Sequence, residues 1–278
     1  MVDSIILCMN STPISQQKVW DLRDVSWSMA INSGATDGVY LKTIKRIDDT
    51  EYYMKLSNYD SYRGIFGHES VNELIASRLG KLLGFNVPEG YLKKALVKID
   101  SVDYTAYVFA AKSYKTIFSR NSFEEYYRSC RISEKESPLD FCKRQNWAEE
   151  IYMMFVFDYL IINRDRHGAN IEVIKNNGKV LSPLFDNGLS FVCMHTDTVG
   201  VDDFDVMLDR PVNNFIGERS LERNLSYIDI LLPFNELNDA HKPIIFNGLE
   251  GVLDEIYYKK IWEILIRRWD SVKKFRII

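Results

Sequence analysis

The chain has 278 residues, enough for one large domain or two lobes around a sizeable core. Hydrophobic residues make up 46%, charged residues 27%, and the formal net charge is −4; this is a globular composition without the basic excess that would point to nucleic acid. The four cysteines, Cys8, Cys130, Cys142 and Cys193, form no C-x-x-C pair, which argues against a zinc site or a disulfide framework.

Residues 1–25 alternate weakly around Thr12-Pro13 and are expected to cover the edge of a sheet. The apolar start, Ile5-Ile-Leu-Cys-Met9, has no preceding basic residues and is too short for a signal sequence. Next comes a run of small residues, Ile31-Asn-Ser-Gly-Ala-Thr-Asp-Gly38. Within it, Ser33, Gly34, Ala35 and Thr36 can present backbone amides to phosphate oxygens, although the same residues also make an ordinary turn. Strands are predicted at Val39–Ile44 and Glu51–Leu56, across the turn signal Asp48-Asp-Thr50. Lys55 lies in the second of these.

Val71, Leu74, Ile75, Leu79, Leu82 and Leu83 recur at helical spacing and predict a helix from Glu69 to a stop at Gly84. Glu73 lies beside that apolar stripe, where its carboxylate would face the sheet; Glu69, one turn earlier, is the alternative. Tyr91–Ile99 and Tyr104–Ala110 read as a strand pair around Asp100–Asp103. Residues 113–145 are expected to form short helices with polar connections.

Trp147–Ile162 is apolar nearly all round and predicts a buried helix that aims the following loop. It falls short of the ~20 residues needed to span a bilayer. Asp158 within it reads as a satisfied structural carboxylate. The helix leads into Asn163-Arg-Asp-Arg-His-Gly-Ala-Asn170, and Phe185-Asp-Asn-Gly188 follows after two apolar runs separated by Asn176-Asn-Gly-Lys179. An Asn-Gly pair between apolar runs predicts a hairpin with a type I′ turn. Its ends would bring Asn170 beside Asp186, with the Asp165 carboxylate one tight turn away. Three hard oxygen donors suit magnesium, and phosphoryl transfer from ATP needs that set plus a carboxylate to orient the attacking hydroxyl.

Leu189–Val212 carries Asp197, Asp202, Asp203, Asp205 and Asp209, and is expected to be a solvated loop rather than a second metal site. The remainder, from Ser220, reads as helices, with a clear apolar stripe over Val252–Trp269.

The order D-x-x-x-x-N and then D-x-G is shared with protein kinases. The narrower wording, Asn163-x-Asp165-x-His167-x-x-Asn170 and then Leu181-Ser-Pro-Leu-Phe-Asp186, resembles the HipA-type serine/threonine kinases, which have a phosphatidylinositol-kinase-like fold. The resemblance implies an α+β, bilobal, protein-kinase-like fold: a small sheet-containing N-lobe over 1–112 and a mainly helical C-lobe over 113–278. It implies Asp165 as catalytic base, Lys55 held by Glu73 on the ATP phosphates, His167 near those phosphates, and Asn170 and Asp186 on magnesium. Ser33–Thr36 would be the phosphate loop, although Thr36 replaces the family's Gln and the Lys that usually follows is missing. Members of the family switch themselves off by phosphorylating a serine there, and Ser33 is the candidate.

The end of the second strand pair, Phe109–Lys112, takes the hinge position, with Phe109 and Ala111 as adenine contacts and Phe185 flanking the cofactor. Asn187 replaces the usual Phe after the metal Asp, so Phe-in and Phe-out switching is not expected. About thirty residues precede the loop, so the chain is read as a short form of the family holding the kinase core without the N-terminal subdomain. The expected partners are a protein substrate and an antitoxin or other regulatory chain, with no nucleic acid and no membrane, in the cytoplasm. Two other readings stay open: a nucleotide-binding regulatory module without transfer activity, motivated by the departures in the loop, and a lipid or small-molecule kinase.

Overall fold

The structure is a computed structural model that describes residues 12–28, 40–113, 120–175, 178–193, 195 and 197–275. Its first part is a five-stranded sheet in the order β1-β6-β7-β3-β2, beside which β4 (Tyr59–Asp60) and β5 (Gly64–Ile65) pair as a small hairpin. β1 (Trp20–Leu22) runs parallel to β6 (Gly90–Ile99) at one edge, as the N-terminal segment was expected to do. β2 (Lys42–Ile47) and β3 (Thr50–Lys55) are joined at Asp48-Asp49, and β6 and β7 (Val102–Lys112) at Asp100-Ser101. All four turn residues have positive φ, between 46° and 69°, the condition for a two-residue turn that matches strand twist. Asp and Ser accept that conformation here without glycine.

Helix α1 (Glu69–Leu83) covers one face of this sheet and buries the predicted stripe. It ends where expected, because Gly84 takes a φ of 91° and the Gly84 and Phe85 amides both return to the Gly80 carbonyl. Gly80 itself is needed for close packing: a Cβ there would lie 2.6 Å from a Val87 methyl. Leu22, Met54, Val97, Val108 and Ala110 form a separate small core on the sheet's other side.

The second part is built on α4 (Ala148–Ile161), whose residues from Met154 to Ile161 are all buried. Beside it lie α2 (Phe123–Cys130), started by a Ser122–Glu125 capping box, and α3 (Pro138–Arg144), capped by Ser137; α3 packs on α4, and α2 packs its Phe123, Tyr126 and Tyr127 rings on Phe141 of α3. α4 stops at Ile162, a β-branched residue in the left-handed region at φ 53°. Such a residue is held there only by its surroundings, and Ile162 is fully buried.

The predicted hairpin is present as β10 (Glu172–Lys175) and β11 (Lys179–Leu181), with β8 (Arg120–Ser122) as a third strand. Its register pairs Lys175 with Lys179 and leaves three residues between the strands rather than the two of a type I′ turn. Asn176 and Asn177 lie outside the described residues.

Two expectations fail. The segment 189–212 is no solvated loop: Phe191, Val192, Cys193, Val201, Phe204, Val206 and Val212 are buried. Three of its five carboxylates accept from backbone amides, while Asp202 and Asp203 are exposed. Asp197 caps α5 (Thr198–Asp202), Asp205 accepts from Met207 N at 2.9 Å, and Asp209 accepts from Leu221 N at 3.0 Å, at the start of α6 (Leu221–Leu225). Periodicity could not show this, because the apolar residues there are isolated between turns.

The stretch after Ser220 is also less helical than expected. Among the described residues, α6, α7 (Lys242–Ile245) and α8 (Glu255–Lys274) are separated by irregular chain and one 3₁₀ turn. α8 does bury the predicted stripe, together with Arg268, which ties Val206 O at 2.8 Å and Tyr159 O at 3.1 Å to the helix. No helix among the described residues is long and apolar enough to cross a membrane.

Candidate active site

Alternation along β3 turns Lys55 toward α1, and helical spacing turns Glu73 back toward the sheet. Both are buried, and Lys55 Nζ lies 2.6 Å from Glu73 Oε1. Glu69, the alternative partner, accepts from Asn58 N at 3.2 Å, and burial pushes its carboxyl above the usual range. Lys55 also reaches Asp186 Oδ1 at 3.1 Å. Burial alone would lower the Lys55 ammonium, but Asp186 and Glu73 outweigh it and hold it above its ordinary value. Asp186 shows the mirror image: burial would raise the acid, and Lys55 with Lys42 holds it well down. The Lys42 ammonium is 3.1 Å from Asp186 Oδ2. Asp186 has a φ of 58°, a strained conformation where a carboxylate must be aimed.

The loop before the hairpin is held from below. Asp158, buried in α4, takes Arg166 Nη2 at 2.7 Å, Arg166 Nε at 3.0 Å and Asn163 Nδ2 at 2.8 Å. The other Arg166 N–H groups reach Phe185 O at 2.7 Å, Asn187 Oδ1 at 2.8 Å and Asn170 O at 3.2 Å. One guanidinium thus joins the residues entering and leaving the hairpin, and Asp158 is the structural carboxylate it was expected to be.

Asn170 donates Nδ2 to Asp165 O at 2.9 Å, which leaves its amide oxygen without a donor among the described residues. That oxygen and the Asp186 carboxylate are hard donors that could hold magnesium, a cation that takes few protein ligands and completes its shell with water and phosphate oxygens. Among the described residues no cluster of three or more His, Cys, Asp or Glu side chains forms another metal site, and the acidic segment 197–209 supplies none.

Asp165 Oδ1 accepts from Asn213 Nδ2 at 2.9 Å, and Asp165 Oδ2 faces His167 Nε2 at 3.6 Å. His167 Nδ1 accepts the Ala169 amide at 3.1 Å, so the ring proton sits on Nε2 and points at Asp165. The lone pair of His167 Nδ1 is thus engaged by the loop backbone, and Nε2 stays beyond hydrogen-bond distance of the carboxylate. Asn213 reaches Asp165 because β12 (Asn213–Asn214) pairs in parallel with β9 (Asp165–Arg166). Tyr40, buried just before β2, has its phenol pushed up by burial and by the field of Glu69, Cys193, Asp186 and Asp165.

The hinge assignment needs correcting. Phe109 and Ala111 lie inside β7, paired to β3 on one side and β6 on the other, with buried side chains. Their backbone groups are used by the sheet, and the ladder runs on to Ser113 N, which donates to Glu51 O at 2.9 Å. Phe109 and Ala111 are therefore strand positions and not a hinge, and residues 114–119, which follow, lie outside the described residues. So do Ser33, Gly34, Ala35 and Thr36. Phe185 is half-buried and held by its carbonyl.

Lys42, Arg166, Asn213 and Tyr40 were not picked out from sequence. Lys42 was within reach: a two-residue turn at Asp48-Asp49 places residue 42 opposite residue 55.

No protein-family model and no curated protein matches the sequence. Among solved structures, the fold is similar to that of the Helicobacter pylori proinflammatory kinase CtkA, with a TM-score of 0.58 and 13% identity over 94% of this chain and 96% of that one. The chain has a kinase-like fold. At this identity the likeness speaks for the bilobal α+β architecture alone, and the chemistry rests on the side chains.

Proposed function

We propose that the protein is an ATP- and magnesium-dependent kinase of the HipA-like serine/threonine type, acting on a protein hydroxyl. The observation that carries this reading is the chain of contacts Glu73–Lys55–Asp186, set beside Asn170 and Asp165 by the Arg166 guanidinium. Lys55 is fixed for a nucleotide phosphate, since a point-charge ammonium needs an orienting partner. Asn170 and Asp186 would hold magnesium, which when bound neutralises phosphate charge. Asp165 orients the acceptor hydroxyl and takes its proton while the oxygen attacks the γ-phosphorus and ADP leaves. Asn213 holds one Asp165 oxygen, and the other, which His167 faces only at 3.6 Å, is the one for that proton.

The test is incubation of the purified chain with magnesium and ATP, beside Asp165→Asn, with phosphorylated residues mapped by mass spectrometry. The wild type transfers phosphate to itself or to an added protein, and the variant loses ~10²- to 10⁴-fold in rate. ATP-dependent thermal stabilisation without transfer to any protein would favour the regulatory module; a wild type that ATP does not stabilise refutes nucleotide chemistry altogether.

A further inference from the structure

Lys42 and Lys55 face each other across the β2–β3 ladder, so their side chains leave the same face of the sheet. Like charges in direct cross-strand register repel, and the pair needs an anion between them. Asp186 is that anion here, with Lys55 at 3.1 Å from one oxygen and Lys42 at 3.1 Å from the other. The two lysines differ in one respect. Lys55 has a second acidic partner, Glu73 at 2.6 Å, whereas among the described residues Lys42 has only Asp186.

Both oxygens of the carboxylate assigned to the cation are thus taken by ammonium groups. When Asp186 serves a cation, at least one ammonium has to let go. Lys55 stays, tethered by Glu73, and Lys42 is released. Its side chain is only 14% exposed, so it cannot turn to bulk water without moving out of the cleft. The charge balance points the same way. Lys42 and Lys55 with Glu73 and Asp186 sum to zero, and a divalent cation added to that set leaves a positive excess that a polyphosphate matches.

We propose that Lys42 is a second phosphate-holding lysine, exchanging its bond to Asp186 for a nucleotide phosphate oxygen as the site fills. This rests on the phosphoryl-transfer reading and adds a residue to it.

The experiment is binding, measured by calorimetry, of magnesium–ATP and of adenosine to wild type, Lys42→Met, Lys42→Arg and Lys55→Met. Adenosine lacks the phosphates and reports whether each variant keeps its cleft. Lys42→Met is expected to weaken magnesium–ATP by ~10- to 100-fold, the range for one hydrogen bond to a charged group, and to leave adenosine unchanged. Lys42→Arg keeps most of the ATP affinity. The wild type supplies a second measurement that does not depend on a variant folding: acylation of its lysines read by mass spectrometry. Magnesium–ATP should protect Lys42 and adenosine should not. The proposal is overturned if Lys42→Met binds magnesium–ATP like wild type while Lys55→Met does not, or if Lys42 labels equally with both ligands. A wild type that does not prefer ATP to adenosine sinks the kinase reading itself, and this proposal with it.

Discussion

Arg166 offers the most direct test of how the site is held together. Its side chain is 1% exposed and its donors reach Asp158, Asn187 and the carbonyls of Asn170 and Phe185. Arg166→Met leaves Asp158 buried with Asn163 Nδ2 as its one remaining donor in this network, and two carbonyls and an amide oxygen lose their partner. Removing one member of a buried ion pair costs ~3–5 kcal/mol, because the other charge stays behind unpaired. At roughly 2–4 °C of Tm per kcal/mol for chains somewhat shorter than this one, a fall of about 10 °C is expected. The assay is thermal and urea unfolding of wild type, Arg166→Met, Asp158→Met and the double variant. The double variant should lose less than the sum of the singles, because it leaves no orphan charge. A single variant as stable as wild type, or strictly additive losses, would refute the claim that this pair is the keystone of the hairpin.

Three further outcomes follow from particular contacts. Burial lowers the His68 imidazole to about 4, with the backbone at Val192 opposing and His195 adding to the fall; the unfolded chain therefore binds the proton near 6.5 and the folded chain does not. That contribution, about 3 kcal/mol in full, is intact above pH 6.5 and drains away as pH falls toward 4. His68→Gln should flatten the slope of Tm against pH between 5 and 6.5, and an unchanged slope would show that His68 is not the group responsible. Gly80→Ala should destabilise by about 1–3 kcal/mol through its clash with Val87, and Val87→Ala in the same chain should recover part of that loss. Asn213→Ala frees one Asp165 oxygen and is expected to slow phosphate transfer by about tenfold with ATP affinity unchanged; a loss of ATP affinity instead would place Asn213 on the nucleotide.

The parts of the site that were legible in the sequence are those set by local periodicity. Glu73 follows from the 3.6-residue spacing of its helix, whereas Lys55 rests on the kinase resemblance, and their 2.6 Å contact needs only that helix to lie on that sheet. The hairpin was visible for the same reason, although its turn holds one residue more than an Asn-Gly signal implies. What was not legible depends on distant segments meeting. Asn213 sits 48 positions from Asp165, in a polar stretch whose parallel pairing leaves no trace in composition. Arg166 gives no sign in the sequence of its partner Asp158 in α4, eight positions earlier. The packed segment 189–212 was misread because acidic residues that cap backbone amides look, in sequence, the same as acidic residues facing solvent.

The bridge between β9 and β12 also sets a length requirement. Phe191 N donates to Ile161 O, Arg164 N to Leu189 O and Asn213 N to Arg164 O, so the chain from 189 to 213 is pinned at both ends to the stretch that carries Asp165. Between the pins Val192, Val201, Phe204, Val206 and Val212 are buried and anchor the path at intervals. One residue added or removed near β12 would slide its register, and an adjacent residue whose side chain points the opposite way would then face Asp165. A segment with the composition of a tolerant surface loop should therefore accept substitutions at its exposed positions while rejecting insertions and deletions. A scan of single-residue length changes across it would separate residues that merely connect from those that count out the distance to Asn213.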